Sequence, residues 1–216
     1  MANDTQGTNY VVTIGRQFGS GGREIGKMVA DALGIKYYDK ELLIEAAKVS
    51  GVRTELFEAA DERSPSLFAN LWSFNLGFNP GSFILGGAGL SDEKIYRAQS
   101  DVMIDLVSQH SCVIVGRSAD YVLRNHPRMI SVFIHASIEA RVERILRRSD
   151  LASADKAREY ALKRDKLRAS YYNFYTDKTW GDAPSYDLCI DSSKLDSKTV
   201  CRIITDYVKA RLECIK

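Results

Sequence analysis

"VVTIGRQFGSGGREIGKMVADALG", residues 11–34, is the stretch on which the fold turns. Val11–Ile14 is apolar and β-branched, the make-up of a buried strand. Glu24–Leu33 places Ile25, Met28, Val29, Ala32 and Leu33 at helical spacing, and Gly34 supplies a stop. Between them stand Gly15, Gly19, Gly21 and Gly22, four glycines in eight residues. Glycines let a backbone turn tightly and approach a ligand closely. Successive amides at a helix start then face inward as an anion nest, and the helix dipole adds positive potential. Ser20 and Arg23 add side-chain donors, and the guanidinium fork of Arg23 suits a phosphate. The standard phosphate loop, G-x-x-x-x-G-K-[ST], is not matched. Gly15 to Gly21 is one residue too long, with Gly22 and Arg23 in the Lys and hydroxyl places. With Gly22 as the last glycine, Arg23 takes the Lys place and Glu24 the hydroxyl place, leaving Ser20 as the candidate substitute hydroxyl for Mg2+. A plain strand-to-helix turn is the competing reading of the loop.

Outward from this stretch, strand-like and helical runs alternate. Lys36-Tyr37-Tyr38 is extended. Asp39 can cap a helix over Lys40–Val49, and Thr54–Ala60 is one more short helix. Residues 61–91 break the pattern. This segment is rich in aromatics, Asn and Gly, without a sustained period, yet too apolar for a plain linker. It reads as an irregular packed insertion, or as a segment that covers a site or meets a second copy. A helix over Ser91–His110 follows, then "CVIV" at Cys112–Val115, a strand buried on both faces. "GRSADYVLRNHP" leads to the strand "ISVFIHA". Next come a basic helix at Ile138–Arg148, a long polar helix from about Ser153, a strand in "YDLCID" and a helix at Ser197–Leu212. Such alternation implies an α/β fold with a parallel sheet flanked by helices, its ligands at the carboxyl ends of the strands.

Composition narrows the class. The chain has 216 residues, enough for one domain with a core. Thirty basic against 28 acidic residues give a net charge of +2, too balanced to argue for nucleic acid or a membrane surface as partner. None of Cys112, Cys189, Cys201 and Cys214 stands at C-x-x-C spacing, which speaks against zinc or a redox pair, and Cys112 and Cys189 read as core residues. The first ten residues carry no charged-then-apolar signal pattern, and no apolar run approaches the length of a membrane span. The expected setting is reducing and cytoplasmic.

Arginines recur at the expected rim. Arg117 follows the strand "CVIV", with Asp120 nearby to hold Mg2+ through water or to orient an arginine. Arg141, Arg144 and Arg148 share one helical face, and Arg164 and Arg168 stand at i, i+4 on the next helix with Asp165 beside them. A solvated face is the default for such runs. The alternative is a cationic pair of helices that closes over a transferring phosphoryl group. Tyr171, Tyr172, Phe174, Tyr175 and Trp180 read first as packing and second as a stacking surface. Asp187 and Asp191 end a strand.

Taken together, "TIGRQFGSGGREIGKMVADALGIKYYDKELL", "CVIVGRSADYVL", "VFIHASIEARVERIL" and "RDKLRASYYNFYTDKTWGDAPSYDLCID" resemble the cytidylate kinase-like family of P-loop proteins, over nearly the whole chain. The resemblance implies a three-layer P-loop NTPase-like sheet, a helical insertion for the acceptor and a helical lid. It assigns a single kinase-like domain over 1–216, with core 10–60 and 92–216, insertion about 61–91 and lid about 144–182. It implies ATP and Mg2+ as cofactors and a nucleoside monophosphate as acceptor, CMP or dCMP first. Gly15, Gly19, Ser20, Gly21, Gly22 and Arg23 become the donor loop, and Arg23, Arg117, Arg164, Asp165 and Arg168 the catalytic set; the metal ligands stay unassigned. The chain departs from the cytidylate kinase pattern where Gly22-Arg23 replace Lys and Ser/Thr. It departs again where Val115 and Ser118 replace the two acids of D-G-R-D, and where Lys40 and Glu45 stand at the places of an acceptor-reading Ser and Arg. Arg168 and Tyr171 replace a later Asp and Arg of the lid. These departures keep a second reading open, a non-catalytic nucleotide- or anion-binding regulator, and a homodimer built on the insertion is compatible with either.

Overall fold

The computed structural model describes residues 9–39, 92–116, 118–148 and 153–215. The helices expected over 40–60, the insertion at 61–91 and Arg117 lie outside the described residues, and with them the expectations of an acceptor clamp and a dimer-forming segment. Five strands form one parallel sheet: β1 (Val11–Arg16), β2 (Lys36–Tyr38), β3 (Cys112–Val115), β4 (Met129–His135) and β5 (Leu188–Asp191). Their order is β2-β3-β1-β4-β5. Every pairing is parallel, so each connection must cross a face of the sheet. The helices are α1 (Gly22–Leu33), α2 (Asp92–Gln109), α3 (Ala119–Val122), α4 (Ile138–Arg148), α5 (Ala154–Thr176) and α6 (Ser197–Cys214).

The period of two in the strands sorts their side chains onto two cores. On one face Val12, Ile14, Val113, Val115 and Val132 pack under α1 and α6, through Ile25, Val29, Ile204 and Val208. On the other, Val11, Cys112 and Ile114 pack under α2 and α3, through Met103, Val107 and Leu123. Burial on both faces is why β3 reads as an unbroken apolar run. A third, smaller core joins α4 to α5: Ile145, Ala157 and Ala161, with Phe18 of the glycine loop packed against it. The loop is thereby held between the sheet and the α4–α5 pair.

The sequence places most elements within two residues. β1 runs two residues past Ile14, because Gly15 and Arg16 keep pairing with Phe133 and Ile134 of β4. Cys112 is buried as expected, whereas Cys189 is only half-buried, because β5 is the edge strand. Asp187 binds Ser131 through Oδ2, at 2.8 Å from its amide and 2.9 Å from its hydroxyl. Asp191 accepts from the Ser193 amide at 2.8 Å, so both acids serve the strand ends. No helix among the described residues is long and apolar enough to cross a membrane.

Candidate active site

The glycine loop lies at the carboxyl end of β1, the central strand, where the connections leave to opposite sides. α1 starts on Gly21, which adopts φ 84° and brings no side-chain cap to the helix end. The first amides of α1 therefore have no partner within the helix and open toward the loop. Gly22 is required by close approach: a Cβ there would stand 2.7 Å from Cβ of Arg16.

Ser20 departs from its expected role. Its side chain is buried, its hydroxyl donates to the Gln17 carbonyl at 2.9 Å, and its amide donates to the same oxygen at 3.3 Å. Its own carbonyl accepts from Ser192 Oγ at 2.8 Å. Ser20 thus shapes the loop and presents no hydroxyl to a metal. Arg23 reaches across the start of α1, its Nε donating to Oδ2 of Asp39 at 2.8 Å. The arginine side chain is 67% exposed and the aspartate 6%. Asp39 is a buried anchor that aims an exposed guanidinium along the rim, and the helix it was expected to cap lies outside the described residues. Tyr37 donates to the same carboxylate at 3.3 Å; burial, reinforced by that charge, pushes its phenol up to about 12.

The α4–α5 pair grips the loop from above. Arg141 is buried, donates from Nε to the Phe18 carbonyl at 2.7 Å, and pairs with Asp165. Asp165 in turn accepts from the Phe18 amide at 2.7 Å. Burial raises its carboxyl, and the Phe18 amide and Arg141 act against that rise. Asp165, expected in the catalytic set, here holds Phe18 in the loop. Arg168 donates to the Arg16 carbonyl at 3.0 Å, and burial brings its guanidinium down to about 10. Arg164 and Arg168 lie over the Phe18 ring, at 5.9 and 5.4 Å from its centroid. The three arginines expected on one face of α4 divide: Arg141 holds the loop, Arg144 binds Ser192, and Arg148 pairs with Glu24.

Two cavities result. The first, about 440 Å3, opens over Gly19, Gly21 and Gly22, and six arginines border it: Arg16, Arg23, Arg144, Arg148, Arg164 and Arg168. Burial, with the adjacent Arg147 and Arg148, lowers the pKa of Arg144, and Glu143 and Glu24 act against that. The second, about 130 Å3, lies beside Gly15 and Gly116 and is walled by Tyr171, Tyr172, Trp180 and Tyr186. Arg16, Arg164 and Arg168 border both. Of the aromatic run, Tyr171, Tyr172 and Trp180 line this second cavity, whereas Phe174 is exposed. Asp120 lies in the same wall, half-buried, and accepts from the Tyr172 hydroxyl at 2.6 Å.

The first cavity fits a polyphosphate, through amides and guanidinium groups. Among the described residues Ser20 is bonded to Gln17, Asp39 and Glu24 are each paired with an arginine, and no group of three His, Cys, Asp or Glu is gathered. Mg2+ carried on substrate phosphates needs no such cage, only waters and one or two carboxylates.

Sequence reasoning passed over Arg16, Arg141 as a loop holder, and Ser192. Arg16 carried a signal, a cation directly after the apolar core of β1; Arg141 carried none beyond its helical spacing.

A parallel sheet of this order, with a glycine loop leading into α1, is the architecture of the P-loop kinases. Solved structures of like fold include a gluconokinase from Sinorhizobium meliloti, 14% identical with a TM-score of 0.52, covering 94% of each chain. A shikimate kinase from Bacteroides thetaiotaomicron is 12% identical with a TM-score of 0.51, covering 93% of this chain and 98% of that one. An uncharacterized protein from Eubacterium ventriosum is more similar, 29% identical with a TM-score of 0.69, over 93% of this chain and 99% of that one. Within this class the chain belongs to the cytidylate kinase-like family, whose model matches residues 11–194. Its relatives include a cytidylate kinase of Methanosarcina barkeri, 25% identical over 199 residues, which are 89% of this chain and 93% of the relative. Another, of Methanocaldococcus jannaschii, is 24% identical over 201 residues, 92% of this chain and 97% of the relative.

Proposed function

We propose that the protein is an ATP-dependent phosphotransferase of the nucleoside monophosphate kinase type. One observation carries this reading: a cationic cavity over the glycine loop and an aromatic cavity beside it share a wall made by Arg16, Arg164 and Arg168. The donor polyphosphate lies over Gly19–Gly22, held by the first amides of α1 and by Arg23 in the place of the usual lysine. The acceptor lies in the aromatic cavity. The γ-phosphoryl group passes between them across the shared arginines, whose charge is greatest where the charge of the transition state develops. Arg117 is a further candidate on this rim from its position after β3. Asp165 acts on the reaction through Phe18, by fixing the loop.

CMP and dCMP are the first acceptors to try, on the strength of the family and of the relatives named cytidylate kinase. The direct assay is ATP consumption with each nucleoside monophosphate. Turnover with at least one is expected, falling about 100-fold or more with Arg164→Ala, the scale seen when a transition-state donor is removed. Absence of turnover with all of them, together with unchanged thermal stability in ATP, would overturn the reading.

The commitment of Ser20 to Gln17 favours one alternative, a nucleotide- or anion-binding regulator without turnover. It predicts thermal stabilisation by ATP with no product formed.

A further inference from the structure

The glycine loop lacks the lysine of the standard motif, and another residue fills the space beside its position. Counted with Gly21 as the closing glycine, Gly22 stands in the lysine place. A Cβ on Gly22 would lie 2.7 Å from Cβ and 2.9 Å from Cγ of Arg16. These are stem atoms, and the backbone that carries them is clamped. Arg16 pairs with Ile134 of β4, and its carbonyl accepts from Arg168 at 3.0 Å. A side chain at position 22 and the arginine at position 16 therefore exclude each other. Beyond Arg16, the next atom such a Cβ would meet is Ser20 Oγ at 3.6 Å, an ordinary contact. Arg16 is thus the residue that keeps position 22 bare.

The head of Arg16 lies where the two cavities meet. Its stem crosses the start of α1 at Gly22. Its guanidinium lies against the backbone of Gly116, just past β3, where a Cβ would overlap Nη1 and stand 2.9 Å from Cζ. Arg16 accordingly borders both cavities. The neighbouring cations are held otherwise. Arg23 is tied through Nε to Asp39 and is 67% exposed. Arg168 donates to the Arg16 carbonyl, and Arg164 lies over the rings of Phe18 and Tyr160. Both of these belong to α5, whereas Arg16 is rooted in β1, the central strand of the sheet. A cation carried by the sheet itself is preorganised, as stabilisation of a transferring group requires.

We propose that Arg16 does the work of the absent lysine: its guanidinium reaches the γ-phosphate of the donor from the end of β1, and position 22 is glycine so that its stem can pass. This rests on the phosphotransferase reading above. In the transfer, an oxygen of the acceptor's phosphate bonds to the γ-phosphorus. The bond from that phosphorus to the β–γ bridging oxygen breaks, and its electron pair leaves with ADP. Arg16 moves no proton in this step. Its fork hydrogen-bonds two γ-oxygens, where a lysine offers a point charge. Arg23 keeps the donor polyphosphate at the rim, and Arg16 takes its last phosphate.

Moving the cation tests this. Arg16→Gly removes stem and head, while the pairing with β4 and the bond from Arg168 remain, since both use the backbone. Arg16→Gly combined with Gly22→Lys puts an ammonium at the standard position, in the space the stem has left. Calorimetric titration of the full chain with ADP and with a non-hydrolysable ATP analogue, in Mg2+, reads the γ-phosphate contact without turnover. The parent should bind the triphosphate about 10-fold more tightly than ADP, the scale of one charge-assisted contact. Arg16→Gly should lose that preference while its affinity for ADP stays within about threefold, and the double variant should regain about threefold or more of it. In the ATP assay, kcat of Arg16→Gly should fall about 100–1000-fold with a smaller change in KM, and the double variant should recover about 10-fold or more. Gly22→Lys alone should have a lower Tm than the double variant, because stem and side chain then collide. Absence of a triphosphate preference in the parent, or the same preference in Arg16→Gly as in the parent, overturns the inference even where the parent turns over. So does a folded double variant no better than Arg16→Gly in both assays. A parent that binds neither nucleotide overturns the phosphotransferase reading itself. A parent that binds both without turnover leaves the titrations to decide on Arg16.

Discussion

Arg141 takes a full positive charge to a position where its side chain is 4% exposed, between the Phe18 carbonyl and the Asp165 carboxylate. Such a pair adds little net stability over an apolar contact, but removing one member leaves a buried charge unpaired. Arg141→Ala should therefore cost about 3–5 kcal/mol in urea unfolding, and Asp165→Ala a similar amount. The double variant should lose much less than the sum, a coupling that a double-mutant cycle measures. Asp120 gives a test in pH. Burial raises its carboxyl above the ordinary 3.8, with Tyr172 acting against the rise. The fold therefore favours the protonated acid. Its contribution is complete below the unfolded pKa and is lost as pH rises through the folded value. Asn mimics the neutral form, so the Tm of Asp120→Asn relative to the parent should increase from about pH 4 to about pH 7. A constant difference would show that the carboxyl is not perturbed by burial. Arg23 was legible as a rim cation from its place after the glycines. Its tether to Asp39 was not, because the two are separated by a helix and meet only when β2 lies beside β3.

The glycine loop and α5 work as a pair of elements. The loop's course is set from below by Arg16, whose stem lies against Gly22, and from above by Arg168, which holds the Arg16 carbonyl. Gly22→Ala places a methyl 2.7 Å from the Arg16 stem and must push the loop or the arginine aside. The expected outcome is a modest destabilisation, about 1–3 kcal/mol, with loss of the thermal shift given by tripolyphosphate. Gly34→Ala, at the far end of α1, is the control. Its left-handed φ of 67° brings a stability cost of about 1–2 kcal/mol, with nothing within 4 Å of the added methyl and no effect on anion binding. The helical period showed α5 to be long and polar, and placed Arg164 and Arg168 on one face. It did not show that Asp165, one residue from Arg164, turns into the loop. That contact depends on the angle at which α5 packs on α4, which the small residues Ala157 and Ala161 permit.

Over the whole molecule, the arginines bordering the glycine-loop cavity come from separate segments: Arg16 and Arg23 from β1 and α1, Arg144 and Arg148 from α4, Arg164 and Arg168 from α5. Their fields add in a partly enclosed space, although the chain's net charge is only +2. Affinity for tripolyphosphate should fall steeply as salt rises from about 50 to about 200 mM, because the Debye length shrinks toward the size of the cavity. Binding measured at several salt concentrations checks this; a flat response would mean that the arginines are neutralised within the protein. Saturating tripolyphosphate at about 100 times its Kd should stabilise the fold by about 2.7 kcal/mol. Since the loop and α4–α5 share the Phe18 core, the gain should appear in one cooperative transition rather than in a separate loop phase.

The amino-acid order alone determined the alternation of strands and helices, the parallel sheet, and a glycine loop at the rim, because periodicity and glycine placement are local properties of the chain. Only the tertiary structure decided which arginines line the mouth and which are spent on the loop. It also decided that Ser20 faces inward, and that Ser118 and Asp120 meet one aromatic cavity. Those outcomes follow from burial and from partners distant in sequence, such as Phe18 with Asp165 and Asp120 with Tyr172, and a hydrogen bond between distant segments has no period by which to be read.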